Sequence, residues 1–140
     1  MKSNLRIFLL ALAAVLGIAT AGAKDLPGQK VGVSFAELAY DFGNVSEDGE
    51  PVVHEYTYSN VGDSPVTVLW AKASCGCTMP KYERKPLRPG EKATIRVKFI
   101  PKGQKGEVDK DVSIQFRNGK GKKEKVTLRL KGTVTPVAKK

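Results

Sequence analysis

The feature that most limits what this chain can fold into is a two-residue hydrophobic period, repeated along its second half. In "KATIRVKFIP", Ala93, Ile95, Val97 and Phe99 share one parity, and Thr94, Arg96 and Lys98 share the other. "DVSIQFRN" sets Val112, Ile114 and Phe116 against Ser113, Gln115 and Arg117. "KVTLRLKGTV" sets Val126, Leu128 and Leu130 against Thr127, Arg129 and Lys131. Successive side chains of an extended strand point to opposite faces, so this pattern specifies strands with one buried face. "PVVHEYTYSN" alternates less cleanly, with His54, Tyr56 and Tyr58 on one parity. Beyond the N-terminal segment, no amphipathic helical spacing is sustained.

Turn chemistry separates these runs. "NVGDSP" parts two of them, and "RPGE" places Pro89 and Gly90 at the centre of a type II turn. "RNGKGKKEK" carries Asn118-Gly119, a hairpin signal. Strands are expected over Val33–Phe42, Val52–Asn60, Val66–Ala73, Thr78–Lys81, Ala93–Ile100, Val108–Phe116 and Lys125–Val134. About seven short antiparallel strands make an all-β sandwich. Tyr56, Tyr58, Trp70, Ile95, Val97, Phe99, Ile114, Phe116 and Leu128 are expected in or beside its core.

The N-terminus has a different character. Lys2 and Arg6 precede an uncharged apolar run, Ile7 to Ile18, followed by Ala21-Gly22-Ala23. That is the layout of a cleavable secretory signal, and the run is short for a permanent membrane span. The expected organisation is a signal peptide at 1–23, a linker at 24–32, the sandwich domain at 33–136 and a basic tail at 137–140. The mature chain would begin at Lys24 and remain strongly basic, since the whole sequence carries a formal charge of +10. In an exported protein, such charge suits an acidic protein or another anionic component of the envelope rather than nucleic acid. The expected location is periplasmic or secreted, with membrane contact only through the signal peptide during export.

The segments "YDFGNV", "HEYTYSNVGDSPV", "ASCGCT", "LRPGEKATIRVKF", "GEVDKDVSIQF" and "LRLKGTV" occur in that order. Together they resemble the bacterial exported family catalogued as domain of unknown function 1573, over roughly residues 35 to 134. The resemblance implies an immunoglobulin-like fold, similar to Hydin-type and major-sperm-protein-type domains. Because that family has no assigned activity, it implies no reaction. Tyr56 and Tyr58 stand where the family usually has phenylalanine, so two hydroxyls need partners.

The inventory for catalysis is thin. The single histidine, His54, shares a face with Tyr56 and Tyr58, which suits packing better than general-base work. Asp109 and Asp111 lie opposite the apolar parity, on a solvated face. Glu47, Asp48 and Glu50 occupy an acidic turn, short of a calcium loop. No enzyme activity and no cofactor are expected. The leading expectation is a non-enzymatic interaction or structural module of the envelope, offering edge strands to a partner protein. Lys120, Lys122, Lys123 and Lys125 form a basic hairpin tip, suited either to anionic surfaces or to protecting an edge against aggregation.

Cys75 and Cys77, the only cysteines, support an alternative function in thiol redox or soft-metal chemistry. They can bond to each other if the chain bends at Gly76, giving a small and reducible ring. Left as thiols, they could bind Cu(I) with Met79, since 75, 77 and 79 share a face of an extended strand. Or one thiol packs in the core and the other is incidental. An exported chain favours the disulfide.

Overall fold

The computed structural model describes residues 26–138; the expected signal peptide and the last two residues of the tail lie outside them. Eight strands form: β1 (Val33–Phe35), β2 (Ala39–Ser46), β3 (Val52–Asn60), β4 (Val66–Ala73), β5 (Thr78–Lys81), β6 (Lys92–Phe99), β7 (Gly106–Asn118) and β8 (Lys123–Thr135). They make two four-stranded sheets, ordered β1-β3-β6-β5 and β2-β8-β7-β4. The inner faces meet in one core that includes Tyr56, Tyr58, Ile95, Val97, Phe99, Ile114, Phe116 and Leu128. This is the all-β sandwich that the alternation specifies, with the immunoglobulin-like fold that the family resemblance implies.

The first expected strand divides in two. Val33 and Phe35 have odd parity, whereas Leu38, Tyr40 and Phe42 have even parity, and all pack on the core. A continuous strand would expose one set. The chain instead changes sheet between Phe35 and Ala39. Ala36 N–H donates to the Thr57 carbonyl at 3.0 Å, and Leu38 O accepts from Arg129 N at 2.8 Å. β2 then runs alongside the last strand, and this β2–β8 pairing is parallel, the one departure from antiparallel pairing among the described strands. A second slip follows at Gly43, whose φ is +71°, where the register jumps between Asp41 and Asn44 and returns Val45 to the core. Gly132 of β8 admits this edge: a Cβ there would lie 2.2 Å from the Phe42 ring.

Trp70 is not in the core. The β4–β7 register shifts between Val68 and Trp70, so that Trp70 stands opposite Gln115, and Ala71 faces Ile114. This bulge turns the indole to the outer face, beneath the Lys72 ammonium at 5.2 Å, and gives the core-facing positions to Ala71 and Ala73.

Within the expected linker, residues 28–31 are anchored to the domain, although Leu26, Pro27, Gln29 and Lys30 stay exposed. Val31 is buried, and the Glu124 carboxylate accepts the N–H groups of Gly28, Lys30 and Val31. Gly32 lies against Gly62, where a Cβ would meet Gly62 Cα at 2.8 Å. The acid inside the run "KKEK" therefore fastens the N-terminal turn to the β7–β8 hairpin.

Two motif turns meet in space. Asn60 is 1% exposed, and its amide donates to Ser64 O and Leu87 O at 2.8 and 2.9 Å. Its backbone bonds the Arg88–Glu91 turn, from Gly90 N–H to Asn60 O and from Asn60 N–H to Glu91 O. Gly90 has φ +84°, as the expected type II turn requires. At the hairpin tip, the positive φ belongs to Gly121 rather than Gly119, and Asn118 Oδ1 accepts from Lys120 N and Lys122 N.

Candidate functional site

The cysteines lie where the chain crosses between the sheets. Ser74 continues the β4–β7 pairing through its N–H to Asp111 O, and Cys77 O already accepts from Ile100 N, one rung before β5. Only Cys75 and Gly76 separate those two anchors. The sulfurs of Cys75 and Cys77 are bonded to each other, with Cα atoms 5.4 Å apart. Each sulfur lies 3.7 Å from the Thr78 hydroxyl, which is buried, and both cysteines are partly exposed. Gly76 is not in a left-handed conformation, and a Cβ there would touch nothing. The bend therefore comes from the crossover rather than from glycine's freedom. The common strand face needed by a three-sulfur site does not form: Cys75 and Cys77 occupy a turn, and Met79 lies on the solvent face of β5, 39% exposed.

The hairpin lysines divide. Lys120 Nζ donates to Asp63 Oδ2 at 2.7 Å, and that bond holds the Asp63 carboxyl below its usual range. Lys122, Lys123 and Lys125 are exposed, with Lys123 opposite Arg117 and Lys125 opposite Gln115 on the outer face. Sequence parity on one strand could not show that β4 brings Lys72 and Trp70 to this same face.

His54 is committed to packing. Its ring stacks on Tyr40 at 3.6 Å and meets Tyr56 edge-on at 4.8 Å, and Nε2 pairs with the Glu37 carboxylate. The two tyrosine hydroxyls differ. Tyr56 donates to Arg129 O at 2.7 Å, and burial, followed by the charge of Glu37, raises its pKa. Tyr58 lines an open cleft of about 530 Å³ with Glu83, Lys85, Pro86, Leu87, Lys92 and Thr94. Burial, then Glu83, pushes Tyr58 up to about 12. Sequence reasoning missed this cleft. Its one signal is "YERKPLRPGEK", a stretch between two strands with two prolines and no alternation.

The architecture recurs in solved structures. A protease, VesB, from Vibrio cholerae is 15% identical with a TM-score of 0.61, over 75% of this chain and 32% of that one. The ASH/PapD-like domain 7 of human CEP192 is 15% identical with a TM-score of 0.61, over 82% of this chain and 92% of the domain. The periplasmic chaperone SfaE is 12% identical with a TM-score of 0.55, over 78% and 60%. At these identities the likeness is one of fold, and this chain spans only a third of the protease. No curated protein matches the sequence. The family profile described as "Protein of unknown function (DUF1573)" matches residues 33–134. With nearly the whole described chain inside that match and the immunoglobulin-like sandwich in place, the protein belongs to the DUF1573 family.

Proposed function

We propose that this protein is an exported, non-enzymatic module that binds other proteins in the bacterial envelope. The observation that carries this reading is the β1-β3-β6-β5 sheet, whose two outermost strands are short. β1 has three residues and β5 has four, so the longer strands beside them keep backbone groups that a partner strand can bond. The groups best suited to chemistry are occupied structurally, His54 by Tyr40 and Glu37 and Tyr56 by Arg129 O. A chaperone is among the proteins that share the fold, which agrees with work on other polypeptides. The exposed Lys122, Lys123 and Lys125 favour a partner with acidic surface. Crosslinking in intact cells, followed by identification of the attached proteins, tests the reading. A reproducible protein partner is expected, and crosslinks only to lipid or polysaccharide would overturn it.

A second reading has its own observation, the partly exposed bond between Cys75 and Cys77 at a two-residue crossover. An external dithiol would supply two electrons and two protons, opening the bond to two thiols and itself becoming a disulfide. Intact mass after alkylation of protein taken from its native compartment checks this. Alkylation of both thiols without reductant would remove the disulfide reading, and copper bound at one per chain and lost on Cys75→Ser would replace it.

A further inference from the structure

The outer face of the β2-β8-β7-β4 sheet differs in charge between its two ends. At one end it is closed by ion pairs, with Arg129 Nε 3.4 Å from Asp109 and 3.3 Å from Asp111. Toward the β7–β8 hairpin, the outward residues fall in three rows across β8, β7 and β4. These are Lys123–Arg117–Thr67, Lys125–Gln115–Trp70 and Thr127–Ser113–Lys72. The rows hold four cations and no acid. Lys72, Arg117, Lys123 and Lys125 are all exposed, and among the described residues none of them pairs with a carboxylate. The acids beside the hairpin are engaged elsewhere. Asp63 accepts from Lys120, and Glu124, of inward parity, accepts from the N-terminal turn.

Strand spacing makes this one patch. Adjacent strands lie about 4.8 Å apart and alternate residues about 7 Å apart, so three rows on three strands span roughly 10 by 14 Å. Neighbouring cations there stand within about a Debye length of one another, and their fields add. Protection of a sheet edge does not account for the arrangement, because Arg117 sits on a strand paired on both sides, with Thr67 and with Lys123. The bulge in β4 brings the indole of Trp70 into the middle row, partly exposed, instead of into the core. A large apolar ring ringed by unpaired cations is the composition of an interface anchor, where Trp and Arg are enriched.

We infer that this end of the sheet is the docking face for an acidic segment of a partner protein, with Trp70 as its apolar anchor and Lys72, Arg117, Lys123 and Lys125 meeting its Asp and Glu side chains. The inference rests on the protein-binding reading above. It gives the acidic part of the partner its own face, on the sheet opposite the short edge strands. The indole itself argues for a polypeptide rather than an acidic glycan. The Lys72 ammonium stands over the ring at 5.2 Å, where a stacked sugar would have to displace it, whereas a carboxylate meets it in place. The rest of the partly exposed ring suits an apolar side chain set between acidic ones. The guanidinium of Arg117 can take a carboxylate through two parallel N–H donors, which fixes the segment's position as well as its charge.

Trp70 is the only tryptophan in the chain, so its emission reports this face directly. The test titrates the mature protein with short synthetic peptides rich in Glu and carrying Leu or Phe. At least one is expected to change the emission saturably, with weaker binding as salt is raised. Arg117→Glu combined with Lys125→Glu should lower the affinity at least about tenfold, whereas Lys98→Glu on the outer face of the other sheet should leave it unchanged. Calorimetry on Trp70→Ala, which lacks the reporter, should show a loss of roughly tenfold as well. No emission change with any peptide, or full affinity in the double variant or in Trp70→Ala, overturns the site. Equal binding of polygalacturonate or of phosphatidylglycerol vesicles also overturns it and leaves a general anion patch. In cells, a protein partner crosslinked to the double variant at the wild-type level would remove this face and leave the broader reading standing. The absence of a protein partner for the wild type would remove both.

Discussion

The β7–β8 hairpin and the β5 edge are both antiparallel ladders, yet they are built to opposite ends. β7 and β8 pair without a break from Gly106↔Val134 to Arg117↔Lys123, and their inner residues Val112, Ile114, Phe116, Val126, Leu128 and Leu130 form the middle of the core. β5 has four residues, one of them proline, and begins directly after a two-residue crossover. Only Thr78 of β5 is fully buried. Long strands gain stability because each added pair of residues brings further ladder bonds and one more buried side chain. A short edge strand gains little and leaves its neighbour open. The stable half of the molecule is therefore the half with ordinary chemistry, and the unusual residues collect where the ladder is weakest.

The largest test of that contrast sets Phe116→Ala against Met79→Ala. Phe116 is fully buried against Phe35 and Tyr58, so its loss should cost about 3–5 kcal/mol. Met79 is exposed, and its loss should stay within about 0.5 kcal/mol. Urea unfolding measures both, and comparable values would end the distinction. Gly132→Ala probes the parallel β2–β8 pairing. Its Cβ collides with the Phe42 ring, so a cost of about 1–3 kcal/mol and a displaced Phe42 are expected. An unchanged midpoint would mean that β2 is loosely held.

A smaller effect is expected from the paired change of Cys75 and Cys77 to serine. The ring closed by this bond is so short that it restricts the unfolded chain by roughly 1–2 kcal/mol. A loss as large as that of Phe116→Ala would make the crossover part of the core's support. The least effect at neutral pH is that of Tyr58→Phe. Tyr58 keeps its proton to about pH 12 in the folded state, whereas an unfolded tyrosine loses it near 10. The unfolded state thus binds fewer protons between those values, and stability falls as pH rises through that window. Melting temperatures of the wild type and Tyr58→Phe should run parallel below about pH 9 and converge or cross above pH 10. Parallel curves throughout would place the hydroxyl in free solvent.

Much of this was legible in the residues. A period of two with one apolar parity leaves a strand no other way to bury its side chains, so β6, β7 and β8 and their inward faces follow from the sequence. The β1–β2 switch was also written there, as the parity slip between Phe35 and Leu38, but it reads as a switch only once β3 and β8 are seen as the two partners. Trp70 shows the limit. Its parity matched Val66 and Val68, and a bulge that depends on the register with β7 turned it outward. A strand carries no record of where its neighbour will let a residue slip.

The sequence alone determined the sandwich, its principal strands, the turn at Gly90 and the closeness of two cysteines, because each depends on near neighbours along the chain. The tertiary structure decided which side of β6 stays uncovered, that Lys120 answers Asp63, that Glu124 holds the N-terminal turn, and that residues 75, 77 and 79 do not converge. Those outcomes depend on where the chain leaves one sheet for the other, and that departure is set by packing between residues far apart in sequence.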